Sequence, residues 1–362
     1  MEIKVLKQPA DSPAWDEFLA AQPTGHHLQC CAWGRLKAAF GWRVIRIVAQ
    51  EGAEILGGAQ ILTRRLPVWG RIGYISKGPV VAPGRADVME ALFDHIEQAA
   101  QAERILVLSV QPPEDAPLYM RPLTERQFRP SSFYVVPPAT VLVDLRPDED
   151  DILLQMKSKT RYNIRLATRK GVVVREGGEA DLETFYRLTE VTGERSDVYV
   201  YYDLDYYREA WRQFAPHGMI KLFTAYYQDE PLACLIAIAF GQWSVYKWGA
   251  SSDQHREVMP NNLLQWEAIR WSKARGCRYY DLGGITPVVA EAIERGENLH
   301  AFDHPSAGVA RFKLGFGELF AFPGSYDNNY GFRPRWLIRQ AVALAWKFPL
   351  ARGLARGARS AG

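Results

Sequence analysis

Six cations fall within fourteen residues of this chain, and no acid interrupts them: Lys157, Lys159, Arg161, Arg165, Arg169 and Lys170. Asp148, Glu149 and Asp151 precede them and Gly171 follows, the start and stop signals of one helix. Arg161, Arg165 and Arg169 then share a face, where like charges four apart repel by about 0.2–0.5 kcal/mol per pair. A solvated helix face ordinarily mixes both signs, whereas a polyanion such as nucleic acid phosphate would relieve this repulsion. Lys313 is a second candidate. It lies in FKLGFG at 312–317 behind Phe312, where aromatics and glycines predict a shielded turn around a ligand-binding cation. Asp281 ends the strand-like RYYDL just before Gly283 and Gly284, where backbone can approach a ligand closely. Its carboxylate can move a proton or simply hold that loop. Tyr246, in the strand-like segment before Gly249, faces either the same opening or the core. Metal chemistry is not expected. Cys30, Cys31, Cys234 and Cys277 match no zinc spacing, and His300 and His304 stand in a loop-like stretch with Pro305 and Gly308.

The elements that must position these residues occur twice. A short strand opens each half (3–6 and 172–175), then two helices follow (13–21 and 30–40; 180–193 and 205–214). Two strands joined by a tight polar turn come next, over 44–62 and 220–240, alternating as hairpins do. A third strand reaches Gly78 in one half and Gly249 in the other. A helix then carries Val88, Leu92, Phe93 and Ile96, or Leu263, Leu264, Trp266 and Ile269, before a closing strand at 105–110 or 278–282. One offset of about 170–176 residues relates all eight pairs, the signature of an internal repeat. The order β-α-α-β-β-β-α-β resembles an α/β (α+β) acyltransferase fold of the GNAT type, present in tandem. Such folds grip the pyrophosphate of coenzyme A in a glycine-rich turn before the central helix. Here the turns read VVAPGRADVME and SSDQHREVMPNNLL, without the Q/R-x-x-G-x-G/A pattern, so no cofactor is expected.

Length and charge fit this organisation. The 362 residues suit two domains, and 48% hydrophobic with 23% charged residues describe a globular chain. The predicted boundaries are 1–145, 146–332 opening with the basic helix, and a tail at 333–362. Net charge is +3, but the tail holds seven basic residues and no acid, leaving −4 on residues 1–332. No secretory signal or membrane-spanning run is read, which predicts a cytoplasmic protein with cysteines packed in a reducing interior. Within the tail, WLIRQAVALAWKF is too short to span a bilayer. It is either a packed terminal helix or a basic, Trp-bearing helix lying on an anionic membrane face.

MKSKTRYNIRLATRKGVVV resembles the signature of the Fem-type peptidyltransferases, which build peptidoglycan cross-bridges. HHLQCCAWGRLKAAFGW is similar to the family's Q-S-x-x-W-x-x-x-K segment, with Cys30 in place of Ser. YISKGPVV, VYKWGAS, YYDLGGI and RFKLGFGELFAFPGSYD follow in family order. The resemblance implies two GNAT-like domains; the coiled-coil arm of some members has no room here. It implies transfer of Gly, Ala or Ser from aminoacyl-tRNA to a stem-peptide amine of a peptidoglycan precursor, lipid II or UDP-MurNAc-pentapeptide. That precursor also gives the membrane reading of the tail its rationale.

This chemistry sets demands. Freeing a lysine-type amine of its proton at pH 7 costs roughly 4–5 kcal/mol. Attack on the ester makes an oxyanion, and one donor beside it is typically worth about 3–4 kcal/mol. Lys313 is the expected donor, and the resemblance implies that Phe312 and Lys313 handle the aminoacyl-tRNA end. It assigns Lys37, one helical turn after Trp33, to a precursor phosphate; Arg195 and Arg208 are candidates for a second phosphate clamp. Gln111-Pro112 departs from the acid many relatives place after the first half's last strand, so the base lies elsewhere: in the substrate, or in another carboxylate such as Asp281. Two other functions fit the residues: a GNAT-like acyltransferase with another donor, and a non-catalytic tandem module binding tRNA or membrane.

Overall fold

The structure, a computed structural model, describes residues 1–8, 11–66, 70–114, 116–131, 134–194 and 202–330. Arg195 and the tail at 333–362 lie outside the described residues. Two compact units divide the chain, Met1–Val136 with the segment from Pro323, and Pro137–Phe322.

The first unit runs β1 (Glu2–Lys7), α1 (Pro13–Ala21), α2 (Cys31–Ala39), β2 (Arg43–Glu51), β3 (Glu54–Leu66), β4 (Gly70–Ser76), β5 (Val80–Val81), α3 (Ala86–Ala102), β6 (Ile105–Gln111), α4 (Pro117–Glu125) and β7 (Arg129–Pro130). The second runs β8 (Ala139–Asp144), α5 (Glu149–Gln155), α6 (Ser158–Arg169), β9 (Val173–Gly177), α7 (Leu182–Glu194), α8 (Leu204–Phe214), β10 (Ile220–Tyr227), β11 (Glu230–Phe240), β12 (Trp243–Ser251), α9 (Pro260–Ala274), β13 (Tyr279–Ile285), α10 (Pro287–Glu294), α11 (Ala307–Lys313) and β14 (Glu318–Ala321). The chain then returns to the first sheet as β15 (Tyr326–Asn329).

The strand orders are β1-β2-β3-β4-β6-β15-β7 and β14-β8-β13-β12-β11-β10-β9. Removing the late additions leaves five strands in the same spatial order in each unit, so the repeat read along the chain is a repeat in space. In both units the single parallel pair occupies the same place: β4 with β6, and β12 with β13. The apolar stripes of α3 and α9 are buried against their own sheets, with Val88, Leu92, Phe93 and Ile96 in one core and Leu263, Leu264, Trp266 and Ile269 in the other. Each such side chain contributes about 1.5–3 kcal/mol on leaving water. Only Gly241 and Gln242 separate β11 from β12, so no coiled-coil arm is inserted there.

Three expectations are corrected. The boundary expected after 145 falls before Pro137, because Ala139–Asp144 pairs with β13 and β14. The boundary at 332 falls before Pro323, because Tyr326–Asn329 pairs with β6 and β7. The single basic helix is two. Met156 is extended (φ −70°, ψ 153°), which ends α5 before α6 begins.

Candidate functional site

The second unit's parallel pair is short. β12 and β13 pair only over Trp243–Val245 and Tyr279–Asp281, and then separate. On one side β12 bulges, with Tyr246 opposite Ala237 and Trp248 opposite Ile236, so that Lys247 is the extra residue. On the other, β13 loses register with β8 between Asp281 and Gly284, and Gly283 takes a left-handed φ of 80°. A Cβ on Gly283 would lie 3.1 Å from the Tyr246 carbonyl oxygen and 3.6 Å from Lys313 Nζ; one on Gly284 would overlap Pro137. Separation strips backbone carbonyls of their ladder partners, and such groups need donors when buried.

Lys313 supplies them. It is the last residue of α11, only 7% exposed, and its ammonium donates to the carbonyls of Gly283 (3.0 Å) and Gly284 (2.9 Å). Burial lowers its pKa from 10.5 to about 8, against the opposing pull of the Asp281 carboxylate. Phe312 packs on the core and meets Phe316 edge-on at 5.1 Å. The shielded cation read in the sequence is therefore present, at a helix end.

Asp281 holds this loop. Its carboxylate accepts from the Gly283 N–H at 2.7 Å and from the Thr140 hydroxyl, which also lies 2.9 Å from the Gly283 carbonyl oxygen. Tyr246 folds back along its strand so that its ring occupies the space a Cβ on Gly249 would take; burial raises its phenol to about 12. Lys313, Asp281 and the Tyr246 carbonyl thus converge around Gly283, while the Tyr246 ring lies against Gly249.

The basic helix is attached to the same segment. Lys157 N–H donates to the Gly315 carbonyl at 2.9 Å, and a Cβ on Gly315 would fall 2.3 Å from Thr160 Oγ1. Thr160, Ile164 and Ala167 form the buried stripe of α6, leaving Lys157, Lys159, Arg165 and Arg169 exposed. None of these four makes an ion pair among the described residues. Arg161 departs from the expected arginine row: its guanidinium turns back onto the carbonyls of Leu154 (3.0 Å) and Met156, satisfying the frayed end of α5. Tyr162, 56% exposed, stands in this cationic face with the Arg169 guanidinium 5.7 Å from its ring.

Elsewhere, Arg208 donates to Glu183 at 2.8 Å on a half-exposed surface. In the first unit, the Q-C-x-x-W-x-x-x-K residues run from the turn at Gln29 through the N-cap Cys30 into α2. Buried Gln29 donates to the Ser76 carbonyl (2.8 Å) and accepts from the Gln60 N–H (2.6 Å). Cys30 Sγ caps α2 by accepting from the Trp33 N–H at 3.4 Å, the place a Ser hydroxyl would serve. Lys37 Nζ lies 4.6 Å from the centre of the Trp33 ring.

Two participants were not singled out from the sequence, Thr140 and Lys247. Lys247 interrupts the apolar alternation of WSVYKWGAS, which was the available signal; the bulge that directs it is not readable from one chain. Burial lowers Lys247 to about 8, again opposed by Asp281.

Two tandem sheets with matching order and a buried cationic opening in the second define a tandem GNAT-type acyltransferase fold. An acetyltransferase (GNAT) domain model matches residues 155–295, and the FemAB family model matches residues 11–122. A lipid II:glycine glycyltransferase of Staphylococcus epidermidis is 22% identical, covering 74% of this chain and 82% of its own. The enzyme of that name from Staphylococcus saprophyticus is 24% identical over 75% and 82%. A crystal structure of FemX superposes with a TM-score of 0.78 at 22% identity, covering 90% of this chain and 97% of that one. The FemAB model thus covers the first part of the chain, and the similarity to the glycyltransferases extends over about three quarters of it.

Proposed function

We propose that this protein is an aminoacyltransferase that moves Gly, Ala or Ser from aminoacyl-tRNA to the stem-peptide amine of a peptidoglycan precursor, lipid II or UDP-MurNAc-pentapeptide. The observation that carries this reading is Lys313, buried at the opening of the second unit's parallel strands and held by two glycine carbonyls. A cation fixed there meets the oxyanion of ester aminolysis without reorganising. Similarity to the staphylococcal lipid II:glycine glycyltransferases supports the precursor side.

The starts of the central helices favour a donor other than coenzyme A. α9 opens with Pro260 behind left-handed Met259 and a 3-10 turn at Arg256–Val258, rather than a glycine cradle. The exposed cations of α6 supply a phosphate-binding surface attached to the Lys313 segment, which suits the acceptor arm of a tRNA. Lys37 and Trp33 form the precursor-binding pair of the first unit, Arg195 and Arg208 the second phosphate clamp, and residues 333–362 a basic contact with the inner membrane face. Among the described residues no helix is long and apolar enough to cross a membrane.

The test is incubation with individually charged tRNAs and either precursor, followed by mass spectrometry. A mass gain of one or more aminoacyl residues on the precursor is expected. No gain with any charged tRNA, alongside modification from an acyl-coenzyme A, overturns the proposal.

A further inference from the structure

The outward face of α6 is cationic at its edges and aromatic at its centre. With Thr160, Ile164 and Ala167 buried, the side chains left exposed include Lys159, Tyr162, Arg165 and Arg169, and no acid lies on the helix. At about 100° per residue, Arg169 and Arg165 fall about 20° and 60° to one side of Tyr162, and Lys159 about 60° to the other. Tyr162 is 56% exposed, and its ring makes one directed contact among the described residues, with the Arg169 guanidinium 5.7 Å from its centre. A singly exposed apolar side chain is ordinary. A ring set between three cations on an acid-free helix face is a different feature, since water is satisfied by the cations alone.

The ring also has a fixed place relative to the opening. The Lys157 N–H donates to the Gly315 carbonyl at 2.9 Å, and Thr160 packs so closely on Gly315 that a Cβ there would not fit. Tyr162 lies two residues beyond Thr160, about 3 Å further along the helix axis. On the neighbouring residue, the Asn163 amide donates to the Asn262 side chain at the start of α9 (3.5 Å). The ring therefore stands on a helix fastened to the segment that carries Lys313, and a tyrosine loses little conformational freedom on gaining a partner.

We propose that Tyr162 is a stacking platform for an unpaired nucleobase, with Lys159 and Arg165 on the adjoining phosphates, so that α6 receives single-stranded RNA rather than a duplex. This rests on the aminoacyl-tRNA reading above and names the part of the donor that is recognised: its unpaired end, which carries the ester towards Lys313. In a duplex the base faces are covered by their neighbours, and a helix that tracked only phosphates would need only cations. An unstacked base offers a π-face to an exposed ring whatever its sequence. Arg169 steadies the ring from one side, and the exposed side takes the base.

The test compares wild type, Tyr162→Ala and Tyr162→Phe in binding a short labelled single-stranded RNA, the same RNA as a blunt duplex, and anionic phospholipid vesicles, each at two salt concentrations. Alanine should weaken single-strand binding by about 5- to 150-fold, the worth of one base–aromatic stack. Phenylalanine should keep wild-type affinity, because the ring stacks and the hydroxyl does not. Duplex binding should be the same in all three proteins, and the salt slope should not change, because no phosphate contact is removed. Tyr162→Ala binding the single strand as tightly as wild type overturns the inference. Equal losses for single strand and duplex also overturn it, marking a disturbed helix, and a loss confined to vesicles overturns it by making the ring a membrane contact. If the stacking pattern appears but no charged tRNA supports transfer, the platform stands and the aminoacyl-transfer reading falls.

Discussion

The two units share strand order and the position of their parallel pair, yet one pair is closed and the other open. In the first unit β4 and β6 shift register once, between Arg71 and Ile72, and then stay paired to Ser76 and Gln111, where the Gly78 N–H donates to the Gln111 carbonyl at 3.2 Å. Gln29 packs beneath Gly78 at that end, next to Lys77, which is also buried. In the second unit the pair stops at Val245 and Asp281, and buried Lys313 donates to the Gly283 and Gly284 carbonyls beyond that point. Burying a cation costs stability unless it is partnered. Both ends bury a lysine, Lys77 in the first unit and Lys313 in the second, so what separates them is that one strand pair continues and the other opens.

Breaking the open end should have the largest effect. Lys313→Met removes both donations to Gly283 and Gly284 and, on the proposed function, the cation that meets the oxyanion, so kcat should fall by about 10²–10³-fold or more. Steady-state transfer assays check this; unchanged turnover would dissociate Lys313 from the chemistry. At the closed end, Gln111→Glu should act on stability alone. A carboxylate cannot donate to the Val136 and Pro323 carbonyls, so a loss of roughly 2–4 kcal/mol is expected, read by chemical denaturation. A gain in kcat from this variant would show that the first unit also handles protons, erasing the contrast.

The cations of α6 test whether the open unit is also the nucleic acid unit. Arg165→Glu with Arg169→Glu should weaken tRNA binding by about tenfold, and the salt dependence should flatten by close to one charge for each phosphate that the helix no longer neutralises. Binding measured at two salt concentrations distinguishes this from misfolding. Arg161→Glu should behave differently, since that guanidinium serves the end of α5; its effect should appear in the melting temperature.

What could be read in advance divides along the same line. The repeated elements were legible because each is long, periodic and locally signalled: the hairpins at 43–66 and 220–240, and the stripes of α3 and α9. Helix α6 and its exposed cations were legible from charge alone. The strands that complete the sheets, β8, β14 and β15, were not, because their partners lie far away in the chain: Tyr326 pairs with Val110, and Thr140 with Gly284. The site was legible in Lys313, whose glycines and aromatics are local, and in Asp281 through its glycine pair. Lys247 was not, since its placement follows from an unpaired residue in a long-range ladder. Arg161 was misleading for a related reason: helical spacing places three arginines on one face, and a helix break at Met156 takes one of them away.

The smallest effect, and the most direct measure of the cost at the open end, is the pH dependence of stability. Lys313 has a folded value of about 8 against 10.5 when exposed, so between these values the unfolded chain binds more protons. The destabilisation is complete below pH 8 and is relieved as pH rises towards 10.5, the opposite of a lysine stabilised by a partner. Between pH 8 and 9 this amounts to about 1 kcal/mol of added stability from one such lysine. Lys313→Met should abolish that increment, and Lys247→Met should abolish a second of similar size. Urea denaturation of the wild type and each variant at the two pH values measures the difference, in which shared contributions from tyrosines and cysteines cancel. Equal slopes for wild type and Lys313→Met would mean that the two glycine carbonyls fully compensate the buried charge. The open end would then carry no cost from Lys313.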